Sequence, residues 1–172
     1  MNPDTAPVLQ AGGDPPVTLR PVRSPEDLEL LRTWKNANRA SFFHQEEILP
    51  EQQAMWFAAL CEREDDFMFV VEEGGAAVGC MGVRALDGTA DVYNVIRGRP
   101  EAGGRGVMSR ALAAMVGFAR LRLDAPVTAR VLRFNPAVSW YRKNGFVVGE
   151  THDTYYVMTC PGAGRHEAAP AT

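Results

Sequence analysis

The sequence predicts an α+β domain, and three observations carry that prediction: short apolar runs of strand length, glycine turns spaced between them, and capped helix-periodic segments placed among the strands. Val17-Thr18-Leu19-Arg20-Pro21-Val22 alternates as a first strand. Ser24, followed by Pro25, Glu26 and Asp27, is an N-cap with acids in the first turn, and the helix it opens carries Leu28, Leu31 and Trp34 on one face. A polar loop, Asn36 to Glu47, leads to a second helix, Pro50 to Cys61, with Met55, Trp56, Ala59 and Leu60 expected inward. Phe67 to Glu72 and Ala76 to Ala85 are strands joined at Gly74-Gly75, a hairpin signal, and Asp87-Gly88 turns the chain into the strand Ala90 to Arg97. A glycine-rich turn, Gly103 to Gly106, feeds a helix beginning near Val107. Val127 to Leu132 is an apolar strand, Asn135 to Gly145 a short helix closed by glycine, and Phe146 to Gly149 and Thr154 to Thr159 the last two strands. One domain, 17–160, is therefore expected between Pro-, Gly- and Ala-biased tails at 1–16 and 161–172, both expected to be disordered.

At 172 residues the chain is long enough for one real core. A net charge of -3 gives no general drive toward nucleic acid or an anionic membrane, so neither is expected as a partner. The three cysteines, Cys61, Cys80 and Cys160, are odd in number and widely spaced without a C-x-x-C, which supports neither a disulfide framework nor a metal site. The first residues lack a basic start and an apolar stretch, and no run approaches transmembrane length. A cytoplasmic location is the expectation that follows.

Two segments carry chemistry. Gly103-Gly104-Arg105-Gly106-Val107-Met108-Ser109 joins a strand to a helix, an arrangement that leaves backbone N–H groups and the positive end of the helix dipole facing one point. That is a phosphate cradle, although the same glycines would also serve a plain tight turn. Downstream, Asn135-Pro136-Ala137-Val138-Ser139-Trp140-Tyr141-Arg142-Lys143-Asn144-Gly145-Phe146 follows the next strand. Together these segments resemble the GNAT N-acetyltransferase family, with its [RQ]-x-x-G-x-[GA] pyrophosphate turn and its later N…Y-x-x-x-G-F segment, and the resemblance runs from about Val17 to about Thr159. Aligning Ala111-Leu112 and Met115-Val116 with the family's paired apolar residues puts Gly103 at the Arg/Gln position and Met108 at the last Gly/Ala. A second register, with Glu101 first and Gly104 and Gly106 at the glycines, shifts the helix face by two residues and is less favoured. Leu19-Arg20-Pro21, Trp34-Lys35-Asn36 and Ile48 to Gln53 with Trp56-Phe57 look like the branch holding ribosomal-protein N-terminal acetyltransferases and nucleotide-amino-sugar N-acetyltransferases.

The resemblance implies a mixed, mostly antiparallel sheet of about seven strands, splayed at the cofactor site and flanked by about four helices. It implies acetyl-CoA as cofactor and direct acetyl transfer in a ternary complex to a primary amine of a small molecule, with an amino sugar as one candidate and a homodimer as a possible assembly. A protein N-terminal acetyltransferase and a non-catalytic acyl-CoA-binding module are the alternatives. Asp91, at the start of the fourth family strand, matches the position of a general base, with His44 as competitor. Val95, Ile96 and Arg97 match the strand whose N–H groups hold the thioester oxygen. Gly103, Gly104, Arg105, Gly106, Val107, Met108 and Ser109 match the pyrophosphate turn, and Asn135 a further cofactor contact, one residue closer to Tyr141 than the family spacing. Tyr141 matches the general acid, because its spacing to Gly145-Phe146 is kept. Acceptor contacts are expected from Trp34, Asn36, Arg39, Phe43, His44, Tyr93 and Asn94, with core packing as the competing role for Trp34.

Overall fold

A computed structural model describes residues 6–162. In chain order the elements are β1 (Leu9–Gln10), β2 (Val17–Pro21), α1 (Pro25–Ala37), α2 (Pro50–Cys61), β3 (Asp66–Glu73), β4 (Ala76–Leu86), β5 (Thr89–Arg97), α3 (Val107–Leu123), β6 (Val127–Leu132), α4 (Ala137–Lys143), β7 (Val147–Thr151) and β8 (Tyr155–Cys160). They form one mixed sheet of eight strands in the order β1-β2-β3-β4-β5-β6-β8-β7. All neighbours are antiparallel except β5 and β6. The expected sheet of about seven strands and four helices is thus present with one strand added. That strand, β1, falls in the stretch expected to be a disordered tail: Leu9 and Gln10 pair with Leu19 and Thr18, an edge too short to show as a pattern. The rest of the expected tails, 1–5 and 163–172, lies outside the described residues.

Local chemistry explains the boundaries. Ser24 Oγ accepts the Asp27 N–H at 3.2 Å while the Asp27 carboxylate accepts the Ser24 N–H at 3.3 Å, a closed capping box at the start of α1. The same carboxylate accepts two bonds from Arg20 at 2.7 and 2.8 Å, which ties the cap to β2. Asp87 and Gly88, both at positive φ, close the β4–β5 hairpin with the twist that two-residue turns require. On α2 the inward face is not the one expected. Gln53 and Leu60 are buried and Trp56 and Phe57 half-buried, whereas Met55 is 73 % exposed and Ala59 is also exposed. Residues 53, 56, 57 and 60 share one helical stripe; Leu60, fully buried, fixes the rotation and turns positions 55 and 59 to solvent.

Side-chain alternation along β3 divides the core between the two faces of the sheet. Phe67 and Phe69 meet Phe118 of α3 edge-on at 5.0 and 5.8 Å, while Met68 between them lines a cavity beneath α1 and α2. The paired residues Ala111-Leu112 and Met115-Val116 are buried on α3, as their spacing predicts. Two irregularities then shape the site. The parallel ladder between β5 and β6 consists of Ala90↔Val127 and Asp91↔Thr128, after which the strands part. On the other edge of β5 the register with β4 slips between Cys80 and Gly82, where Asn94 stands at φ +48.

Candidate active site

The parting of β5 and β6 opens a cleft of about 1000 Å³, and the sequence places a carboxylate at its apex. Asp91 is 2 % exposed. Its Oδ2 accepts from Arg84 Nε at 3.2 Å; its Oδ1 is buried and has no hydrogen-bond partner among the described residues. Burial pushes the carboxyl above the ordinary range, and the Arg84 and Arg130 guanidiniums pull the other way without cancelling the effect. The result is a carboxylate with raised proton affinity and one free acceptor oxygen.

Tyr141 reaches the same cleft from α4. The helix starts where Asn135 Oδ1 accepts the Ala137 N–H at 2.8 Å, and Asn135 Nδ2 donates to the Ser41 carbonyl at 3.0 Å. Asn135 therefore shapes the cleft wall by closing a turn and holding the α1–α2 loop, with both ends of its amide engaged. Tyr141 is 5 % exposed and lies edge-on to Trp140 and Phe146 at 5.1 and 5.2 Å. Burial, with the Asp91 charge adding to it, raises the phenol above its usual value, so the hydroxyl keeps its proton at neutral pH.

Val95, Ile96 and Arg97 also line the cleft, on the stretch of β5 that β6 no longer pairs. Arg97 contributes its side chain as well: a Cβ on Gly103 would meet Arg97 Nη1 at 2.5 Å, so the guanidinium lies against the glycine turn. Arg105, the expected source of charge there, instead pairs with Glu73 of β3. The glycines suit the cradle. Gly104 and Gly106 adopt φ +82 and +70; a Cβ on Gly104 would stand in open space, and one on Gly106 would meet only the Arg110 guanidinium at 3.7 Å. The first bond of α3 runs from Arg110 N–H to the Gly106 carbonyl, and no side chain caps the helix, so the N–H groups of Val107, Met108 and Ser109 precede the intrahelical ladder. These features fit the pyrophosphate of a CoA thioester: backbone donors, an adjacent guanidinium, and no side chain in the way. Met108, where the family turn ends in Gly or Ala, is accommodated by Gly79 of β4, whose absent Cβ would stand 2.9 Å from its sulfur.

Of the expected acceptor contacts, Phe43, His44, Tyr93 and Asn94 line the cleft. Tyr93 Oη donates to Asp66 at 2.6 Å, and Asn94 Oδ1 accepts from Lys35 Nζ. Three others are corrected. Trp34 is core, 7 % exposed, with its indole filling the space where Gly98 lacks a side chain. Asn36 is spent on the loop, accepting the Ile48 N–H at 2.8 Å and donating to the Ile48 carbonyl at 3.0 Å. Arg39 is exposed on a short 3-10 turn and is not part of the cleft wall. Lys35, Arg84 and Arg130 line the cleft without having been expected there. Nothing in the residue pattern marks them, since a cation beside a core tryptophan, or on a strand next to a turn, reads as surface.

With this geometry in place, comparison with known proteins identifies the class. Residues 17–147 match the acetyltransferase (GNAT) domain. The chain belongs to the GNAT acetyltransferase family and is an acyltransferase. No curated protein matches it by sequence. Among solved structures it is similar to a probable GNAT acetyltransferase from Chromobacterium violaceum, with 18% identity, 90% of this chain and 92% of that chain covered, and a TM-score of 0.68. The spermidine N-acetyltransferase from Vibrio cholerae, solved with CoA and spermine, has 20% identity, coverage of 83% and 92%, and a TM-score of 0.67. RimL, a ribosomal L7/L12 alpha-N-protein acetyltransferase in complex with CoA, has 16% identity, coverage of 89% and 96%, and a TM-score of 0.69. At these identities the likeness concerns the fold. No helix among the described residues is long and apolar enough to cross a membrane.

Proposed function

We propose that this chain transfers the acetyl group of acetyl-CoA to the primary amine of a small molecule, by direct attack with both substrates bound. The observation that carries the reading is the meeting of Asp91, with its free buried oxygen, and Tyr141, with its protonated hydroxyl, on one cleft beside an uncapped glycine turn. Acetyl-CoA supplies an activated thioester. The amine must lose a proton to act, and we assign that proton to Asp91, reached through a water as the cleft wall opens around its buried, unpaired Oδ1. The raised proton affinity of the carboxyl narrows its gap to an alkylammonium. Tyr141 Oη holds the proton that the departing sulfur needs, and its burial excludes bulk water from that step. The unpaired edge of β5 at Val95 to Arg97 offers N–H groups to the acyl oxygen, and the turn 103–109 with Arg97 holds the pyrophosphate.

The test is thiol release from acetyl-CoA in the presence of a panel of amines, including amino sugars, amino acids, polyamines and a short peptide. Amine-dependent release with formation of the N-acetyl product supports the reading. CoA binding by calorimetry with no amine-dependent release across the panel would favour a CoA-binding module instead.

A further inference from the structure

Beneath α1 and α2 a cavity of about 260 Å³ opens onto the cleft and shares Lys35, His44, Trp56, Asn94 and Ile96 with it. Its remaining walls include Leu31, Met68 and Cys80, and no carboxylate lines it among the described residues. Lys35 Nζ donates to Asn94 Oδ1 and stands 3.3 Å from the centroid of the Phe42 ring. No carboxylate lies within ion-pair distance of it among the described residues. Of the arginines lining the cleft, Arg84 is matched with Asp91 and Arg130 with Asp87, while Arg97 lies against the glycine turn. An ammonium withdrawn from water without a counter-ion is unfavourable, and a leucine or methionine would fill the same helix position without that penalty. Burial and the nearby Arg84 charge draw the Lys35 ammonium down to about 8, the direction expected for a cation lacking an anion.

We propose that Lys35 anchors a carboxylate of the acceptor, so that the amine acetylated here is a carboxylate-bearing primary amine and polyamines are rejected. The inference rests on the acetyl-transfer reading above and adds the acceptor's chemical class to it. The carboxylate supplies the counter-ion that Lys35 lacks, and a short spacer from the mouth shared by cavity and cleft would bring the amine end toward Asp91 on the cleft wall. A diamine of equal length would bring its second ammonium against Lys35 and Arg84.

The experiment uses matched sets of primary amines of equal length ending in carboxylate, carboxamide, phosphonate or a second amine, with thiol release from acetyl-CoA as readout. The wild type should favour carboxylate over carboxamide by at least about tenfold in kcat/KM, with the diamine poorest. Lys35→Met should bring the carboxylate/carboxamide ratio to about one, mainly through KM for the acceptor. Lys35→Gln, which keeps a donor for Asn94 without the charge, should do the same. Because the ratio is taken within each protein, partial loss of folding cancels from it. Equal use of carboxylate and carboxamide by the wild type, a preference for phosphonate, or a preference that survives in both variants would overturn the proposal. Thiol release with no member of any set would count against the transfer reading itself.

Discussion

Asp91 and Tyr141 are both withdrawn from water, and burial raises the proton affinity of each, with opposite consequences for the two roles. A carboxylate that binds protons more tightly is a better base; a phenol that does so stays protonated over a wider pH range but is a weaker acid, so its proton transfer relies on close contact with the sulfur. Asp91 also has a stability consequence. Its folded-state pKa lies above its unfolded value, so its contribution is most favourable below the ordinary carboxylate range and is lost as pH rises through the raised value. Asp91→Asn removes the buried charge and should therefore raise Tm at neutral pH, with the gain shrinking in acid. The same variant should lose turnover by about a hundredfold while CoA affinity by calorimetry stays unchanged. Wild-type turnover with an unaltered pH profile would reassign the base. Tyr141→Phe keeps the ring contacts with Trp140 and Phe146 and deletes only the hydroxyl. Its Tm should hardly move while turnover falls about ten- to a thousandfold, and full activity in a folded variant would remove Tyr141 from the acid role.

The element that would couple the sheet to a bound CoA thioester is the connection from β5 to α3. Arg97 ends the strand, Gly103 leaves room for its guanidinium, and Gly104 and Gly106 take backbone angles that side chains resist. Gly106→Ala would place a Cβ at φ +70 in ordinary contact with the Arg110 guanidinium at 3.7 Å, at a conformational penalty of about 1–2 kcal/mol, and would tilt the N–H groups that begin α3. CoA affinity should fall by about tenfold, and a folded variant with unchanged affinity would move the pyrophosphate elsewhere. At this scale most of the fold was legible. Capping at Ser24, the hairpin glycines, and the strand Val127–Leu132 follow from single-residue chemistry. The face of α2 was not, because Met55, Trp56, Ala59 and Leu60 offer two apolar stripes and only the tertiary burial of Leu60 decides between them. Nor was β1, whose two residues owe their conformation to pairing with β2 and carry no period of their own. In the proposed site, Asp91, Tyr141 and the turn 103–106 could be found from the resemblance to the family pattern, whereas Lys35 acquires meaning only from the cavity it faces. Likewise Arg105 could not be told from Arg97 as the charge beside the turn until Glu73, far off in sequence, was seen to engage it.

Across the whole molecule the sheet consists of two antiparallel blocks, β1 to β5 and β6 to β8, joined by a parallel ladder of Ala90↔Val127 and Asp91↔Thr128. The proposed catalytic pair straddles that joint, with Asp91 on the first block and Tyr141 on the helix that follows β6. A CoA thioester lying in the cleft would occupy the gap that the diverging strands leave, pairing with the free edge of β5 while its pantetheine arm passes α4. Cofactor binding is then expected to act as a third strand between the blocks and to stabilise both. At a CoA concentration about a hundred times Kd the folded state should gain about 2.7 kcal/mol. Hydrogen exchange distinguishes this bridging from a purely local effect at the glycine turn. Amides of β5 from Val92 to Arg97 and those of β6 should slow together with the first turn of α3 when CoA is added, whereas the β3–β4 ladder, paired without it apart from one bulge between Val71 and Glu72, should change little. Protection confined to residues 103–109 would show that the cofactor is held by its phosphates alone and that the two blocks do not use it as a bridge.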